Sequence, residues 1–131
     1  MANTEIKNQT CYTLLFTGAL NQIQVFLCGD KNQRTQVYKF FDDLSQNEIN
    51  NLISDFAYID QFFPACSHAK KFKHLADDLW SIKEGQIRIA CFWCRKRLIA
   101  VYGVKKKDPS WRKQDLDNAT RQYRLCKKDS I

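Results

Sequence analysis

The run Leu79-Trp80-Ser81-Ile82-Lys83, a Glu84-Gly85 turn, Ile87-Arg88-Ile89-Ala90-Cys91-Phe92-Trp93-Cys94, a turn Arg95-Lys96-Arg97, Leu98-Ile99-Ala100-Val101-Tyr102-Gly103-Val104 and the exit Lys105-Lys106-Lys107 decides the fold. β-Branched and aromatic residues fill three short segments, and charged or glycine turns separate them, which predicts three strands joined as hairpins. In the middle segment Ile87, Ile89, Cys91 and Trp93 share one face, and Arg88, Ala90 and Phe92 share the other. A small twisted sheet with cations at its strand ends presents a positive rim. Such a surface suits a polyanion, with RNA the first candidate.

Working outward, Val37, Phe40, Phe41 and Leu44 recur at helical spacing within Thr35 to Leu44. Ser45-Gln46-Asn47-Glu48 reads as a capping box that opens a second helix. That helix carries Ile49, Leu52, Ile53 and Phe56 on one face, runs to about Phe62 and is ended by Pro64. Both apolar stripes are expected to pack on the sheet. Nearer the start, Met1 to Thr10 is a loose polar lead. Cys11 to Thr17 and Ile23 to Cys28 are strand-like, and Gly18 to Gln22 links them. Ala65 to Lys73 reads as a basic loop or short helical turn. Asp108-Pro109-Ser110 breaks the chain after the last strand, and a final helix carries Leu116, Ala119, Thr120 and Tyr123, fraying near Lys127. The order is strand, two helices, three antiparallel strands, helix. It predicts an α+β sandwich with its helices on one side of the sheet.

A chain of 131 residues is a single domain, 1–131, and 44% hydrophobic content is enough to fill its core. Four Gly and two Pro argue against a many-stranded all-β fold. The net charge of +7 is uneven: residues 1–66 hold four Lys/Arg and seven Asp/Glu, whereas residues 67–131 hold 17 and seven. That asymmetry favours nucleic acid, a ribosome or an acidic protein over a small neutral substrate, with a solvated, solubilising surface as the alternative. No secretory leader is expected ahead of the six cysteines, because the start is polar and the apolar run Leu14 to Leu20 is short. No segment is apolar enough to cross a bilayer. The expected compartment is cytoplasmic, with thiols reduced. Cys91 and Cys94 form C-x-x-C, but three apart on a strand they point to opposite faces. No second pair completes a zinc site, so no metal is expected.

The order and residues resemble the RelE/HigB superfamily of bacterial toxins, its phage-derived HigB-like branch above all. The matching residues are Lys71-Phe72-Lys73-His74-Leu75, Leu79-Trp80-Ser81-Ile82-Lys83, Ile87-Arg88-Ile89, Leu98 through Lys106, then Pro109 and Leu116 with Ala119. They cover roughly 23–124 and are densest over 70–123. The resemblance implies a RelE-like microbial RNase fold: a small antiparallel twisted sheet with two N-terminal helices packed on it and a C-terminal helix. Residues 1–22 would be an extension or an extra strand. It further implies the toxin of a type II toxin–antitoxin module, a metal-independent endoribonuclease that needs no cofactor and cleaves messenger RNA on the translating ribosome. Its implied partners are that RNA, the ribosome and a cognate, HigA-like antitoxin with a helix-turn-helix.

Metal-free RNA cleavage needs a base for the ribose 2′-hydroxyl, cations on the phosphorane and an acid for the leaving 5′-oxygen. Arg88, by matching motif position, would grip the scissile phosphate; its alternative is a salt bridge to Glu84 or Asp78. Lys83 would reach the same phosphate or be a solvated turn residue, and Lys106 is the member of Lys105–Lys107 expected at the site. His74 is a candidate proton-transfer group or simple polar surface. Lys71, Lys73, Lys105, Lys107, Trp111 and Arg112 are the RNA-binding candidates, Trp111 by stacking on a base or else by packing on the sheet. Departures from the branch stand at Ser81 for the usual Glu, Lys83 for Arg and Trp80 for Tyr. They leave open a noncatalytic binding module on the same fold, or a related toxin that poisons DNA gyrase.

Overall fold

The computed structural model describes residues 11–65, 71–108 and 110–129. In chain order the elements are β1 (Tyr12–Thr17), β2 (Gln24–Cys28), α1 (Gln36–Asp42), α2 (Gln46–Phe62), β3 (Phe72–Ala76), β4 (Leu79–Glu84), β5 (Ile87–Cys94), β6 (Arg97–Lys105) and α3 (Lys113–Asp129). The six strands form one sheet in the order β1-β2-β6-β5-β4-β3. The α+β class holds.

Local chemistry sets the boundaries. Thr35 caps α1 by accepting from the Tyr38 amide. At α2 the capping box is complete: the Ser45 hydroxyl accepts from the Glu48 amide at 3.2 Å, and Glu48 Oε1 accepts from the Ser45 amide at 2.9 Å. Gly85, at φ +58°, makes the tight β4–β5 turn in a conformation that a side chain would strain.

Three expectations are corrected. Part of the loop assigned to Ala65–Lys73 is the start of edge strand β3, which pairs Phe72 with Ile82 and His74 with Trp80. Residues 66–70, with His68 among them, lie outside the described residues. The sheet is mixed rather than antiparallel, because β2 runs parallel to β6, with Gln24 opposite Arg97 and Leu27 opposite Ala100. The helices lie on both faces. Phe40 of α1 packs against Gly103, and Lys71 ties Asp55 of α2 to Glu84. On the other face Tyr102 donates to Asp115 of α3 at 3.0 Å, and the Phe92 and Tyr123 rings meet edge-on. The physical reason lies in β5, where every residue from Ile87 to Phe92 is buried. A strand apolar on both faces needs cover on both.

The β2 ladder stops at Ala100, so the outer edge of β6 is unpaired beyond it. There Gln36 of α1 serves as a substitute strand: its side-chain amide accepts from the Gly103 amide at 3.0 Å and donates to the Gly103 carbonyl. Gly103 is required because a Cβ would sit 2.4 Å from the Phe40 ring.

Among the described residues no helix is long and apolar enough to cross a membrane. The five described cysteines carry thiols, with Cys28, Cys91 and Cys126 buried.

Candidate nucleic-acid interface

Because β4, β5 and β6 alternate in direction, their turns fall at opposite ends of the sheet. The β4–β5 turn and the Lys105–Lys107 exit lie at one end, and Arg95-Lys96-Arg97 lies at the other. The single positive rim expected from the sequence is therefore two rims, about a strand length apart.

At the first end, on the α3 side, Lys83 stands directly opposite Arg88 across β4 and β5, and Lys73 on β3 stands opposite Ser81. Alternation puts Lys73, Ser81, Lys83 and Arg88 on one face. The segment that leaves β6 crosses beside them. Its Trp111 donates the indole N–H to the Ser81 hydroxyl at 3.1 Å and lies near the Tyr102 ring. Ser81, read as a departure from the family pattern, is thus the anchor of Trp111, and Trp111 packs on the sheet. Lys106 donates its amide to the Gln86 carbonyl at 2.8 Å and its ammonium to the Ser110 carbonyl. Lys73, Lys107 and Arg112 are exposed and Lys83 half-buried, and no ion pair engages them among the described residues.

Arg88 is only 3% exposed. It forms neither anticipated salt bridge. Its Nη1 donates to the carbonyls of Gly85 at 2.7 Å and Ile87 at 3.0 Å, while its buried Nε has no partner. Burial pushes its pKa below the ordinary arginine value, and the charge of Asp108 pulls the other way. The guanidinium therefore folds back over the β4–β5 turn instead of standing on an open face. An arginine held this way keeps a donor in reserve at a desolvation cost.

Three other candidates lie on the opposite face or the opposite end. Lys105 pairs with Glu48 of α2 at 2.8 Å. Lys71 bridges Asp55 at 3.4 Å and Glu84 at 2.9 Å. His74 faces Trp80 and touches the Asp77 carbonyl at the far end of β4, so it does not join Arg88. For His74 the reason is strand parity: 72 and 74 share the α2 face of β3, whereas 73 faces α3. Lys71 precedes the strand and is held by its two carboxylates.

Sequence reasoning missed the carboxyl pair under Lys71. Burial, then the neighbouring Glu84, pushes the Asp55 carboxyl up to about 7, and Lys71 only partly offsets this. Hydrogen bonding to Asp55 holds Glu84 below its ordinary value. The pair shares a proton near neutral pH. Asp55 sits among apolar α2 positions, and that irregularity was its only sequence signal.

The chain matches no protein-family model, and no curated protein aligns with it.

Proposed function

We propose that the chain binds single-stranded RNA through the face that β3, β4 and β5 present beside the start of α3. The observation that supports this is the gathering of Lys73, Lys83 and Arg88 from three adjacent strands onto one face. Lys106 and Arg112 flank them on the segment between β6 and α3. Lysines in such a row track a phosphate backbone and displace its counterions, so binding weakens steeply with salt. Titration of a labelled single-stranded oligonucleotide at several salt concentrations tests it. Lys73→Ala with Lys83→Ala should flatten the log–log salt dependence by about 0.7 for each phosphate no longer neutralised. A slope unchanged by the double substitution refutes the assigned face.

A second reading is favoured by one geometric fact: Lys83 and Arg88 are direct cross-strand neighbours, close enough for one phosphodiester between them. On this reading the chain is a metal-independent endoribonuclease toxin that cleaves messenger RNA on the translating ribosome, silenced by an acidic cognate antitoxin. Arg88 would exchange the Gly85 and Ile87 carbonyls for phosphate oxygens and bring its unused Nε to the second of them. His74 has no part in it, and the base remains with the RNA or a lysine of the row. Induction in bacteria should arrest growth, and Arg88→Ala should abolish the arrest. Salt-sensitive RNA binding without cleavage of translated messages leaves the binding reading standing alone.

A further inference from the structure

At the other end of the sheet a cleft of about 560 Å³ opens between the β3–β4 turn, the end of β5 and the last turns of α3. Four aromatics line it around the strand ends: Phe92 and Tyr123 from the α3 face, Trp80 and Trp93 from the α2 face. Its polar groups are set at the margin. His74 lies edge-on to Trp80, and Asp78 accepts from the Tyr123 hydroxyl at 2.8 Å and faces Lys127 at 3.6 Å. Asp77, held at φ +50°, adds a second carboxylate at the mouth. Two carboxylates there outnumber the single ammonium of Lys127, so the cleft suits a flat, hydrogen-bonding guest rather than phosphate.

Beside it stands the cationic turn that the first rim leaves unused. Arg97 is the cross-strand partner of Cys94, which lines the cleft, and both Arg95 and Arg97 are exposed. Arg124 of α3 is exposed on the same helix as Tyr123 and Lys127. Aromatic walls with arginines alongside are the combination by which proteins hold an unstacked base and its flanking phosphates. Carboxylates accept from the exocyclic amines of bases, and His and Lys donate to their ring nitrogens or keto oxygens.

We infer that this cleft is a base-binding subsite that takes one unpaired nucleobase of a single-stranded RNA, with Arg95 and Arg97 on the adjoining phosphates. The inference rests on the RNA-binding reading and extends it from backbone contact at one end of the sheet to base contact at the other.

The test compares a labelled single-stranded oligoribonucleotide with an abasic strand of the same length and charge, by fluorescence anisotropy on the full chain. The base-bearing strand should bind about tenfold more tightly, within what one stacked base contributes. His74→Ala, at an exposed position, and Trp93→Leu should each shrink that gap to under about threefold while leaving abasic binding unchanged. Free adenosine or cytidine, which carry no phosphate, should quench indole fluorescence in native protein and not in Trp93→Leu. Equal affinity for the two strands overturns the subsite and leaves RNA binding intact. A gap abolished in Trp111→Ala but kept in His74→Ala overturns it too, by moving base contact to the first end. Failure of both strands to bind overturns the subsite and the RNA reading together.

Discussion

Among the described residues, Asp60 and Arg88 are the two charged side chains that the fold buries most deeply, at 2% and 3% exposure, and they are held in opposite ways. Burial alone would push Asp60 up. The amides of Ile23, Leu20 and Asn21, with the charge of Lys96, more than compensate and hold its carboxyl below the ordinary value. These amides lie 2.9–3.1 Å from its two oxygens. They tie the 18–23 link between β1 and β2 to α2, where a Cβ on Gly18 would collide with the carboxylate. Arg88 has two carbonyls on one nitrogen and nothing on Nε. A buried charge with every valence used is a fastener. One with a valence left over is held at a desolvation cost that the resting fold does not offset.

Removing the fastener has the largest expected cost. Asp60→Ala strands three backbone donors and should lower stability by about 3 kcal/mol in urea denaturation. A loss below about 1 kcal/mol would put Asp60 in the same class as Arg88. The Asp55–Glu84 pair is a third case, a buried acid whose proton is its partner. Because its pKa is raised from 3.8 to about 7 on folding, the native state holds a proton that the unfolded chain has released. Stability is therefore fully present below about pH 4 for this group and declines as pH rises through 7. The decline should be about 2 kcal/mol after screening by solvent and Lys71. Asp55→Asn should flatten that part of the pH–stability curve, measured by thermal melts from pH 5 to 8. Melts that fall with pH equally in the native chain and in Asp55→Asn would exclude the shared proton.

Arg88→Met sharpens the contrast from the other side. An apolar side chain of similar length relieves an incompletely paired buried charge, so stability should hold or rise by about 1 kcal/mol while RNA affinity falls. A destabilisation as large as that of Asp60→Ala would make Arg88 a second fastener. The smallest effect is expected at Ser81→Ala, which removes the acceptor of the Trp111 indole at 3.1 Å. It should cost about 1 kcal/mol and shift the fluorescence of Trp111 to the red. No shift would mean that Trp111 is held by Tyr102 alone.

Every strand but β3, the helices and the Ser45–Glu48 cap were legible because each rests on a period or a motif within a few residues, whereas β3 read in part as a basic loop. Face assignments on β5 were legible for the same reason: alternation separated Arg88 from Ile87 and Ile89. What the sequence could not carry was the third dimension of that alternation. His74 and Lys105 look like neighbours of Lys73 and Lys106 in the chain, yet parity sends them to the α1–α2 face, and Lys71, just ahead of β3, is drawn there by Asp55 and Glu84. The parallel partnership of β2 with β6 joins segments that share no local signal. Arg88 was legible as a cation in an apolar strand, but its carbonyl partners come from the backbone of its own turn, which no residue type announces. The aromatic cleft was hidden because its walls come from β4, β5 and α3, where each aromatic alone reads as core.

The parallel ladder between β2 and β6 also fixes a timetable. Gln24 meets Arg97, 73 positions later in the chain. At a synthesis rate of about 5–20 residues per second, β2 leaves the ribosome several seconds before the strand that will shield it. During that interval Val25 and Leu27, later sealed in the interior, have β1 and the helices α1 and α2 to lean on but lack β6, and a two-stranded hairpin is marginal in water. The N-terminal third of the nascent chain is thus the stretch on which a holding chaperone would act, and assembly completes only when the C-terminal half arrives.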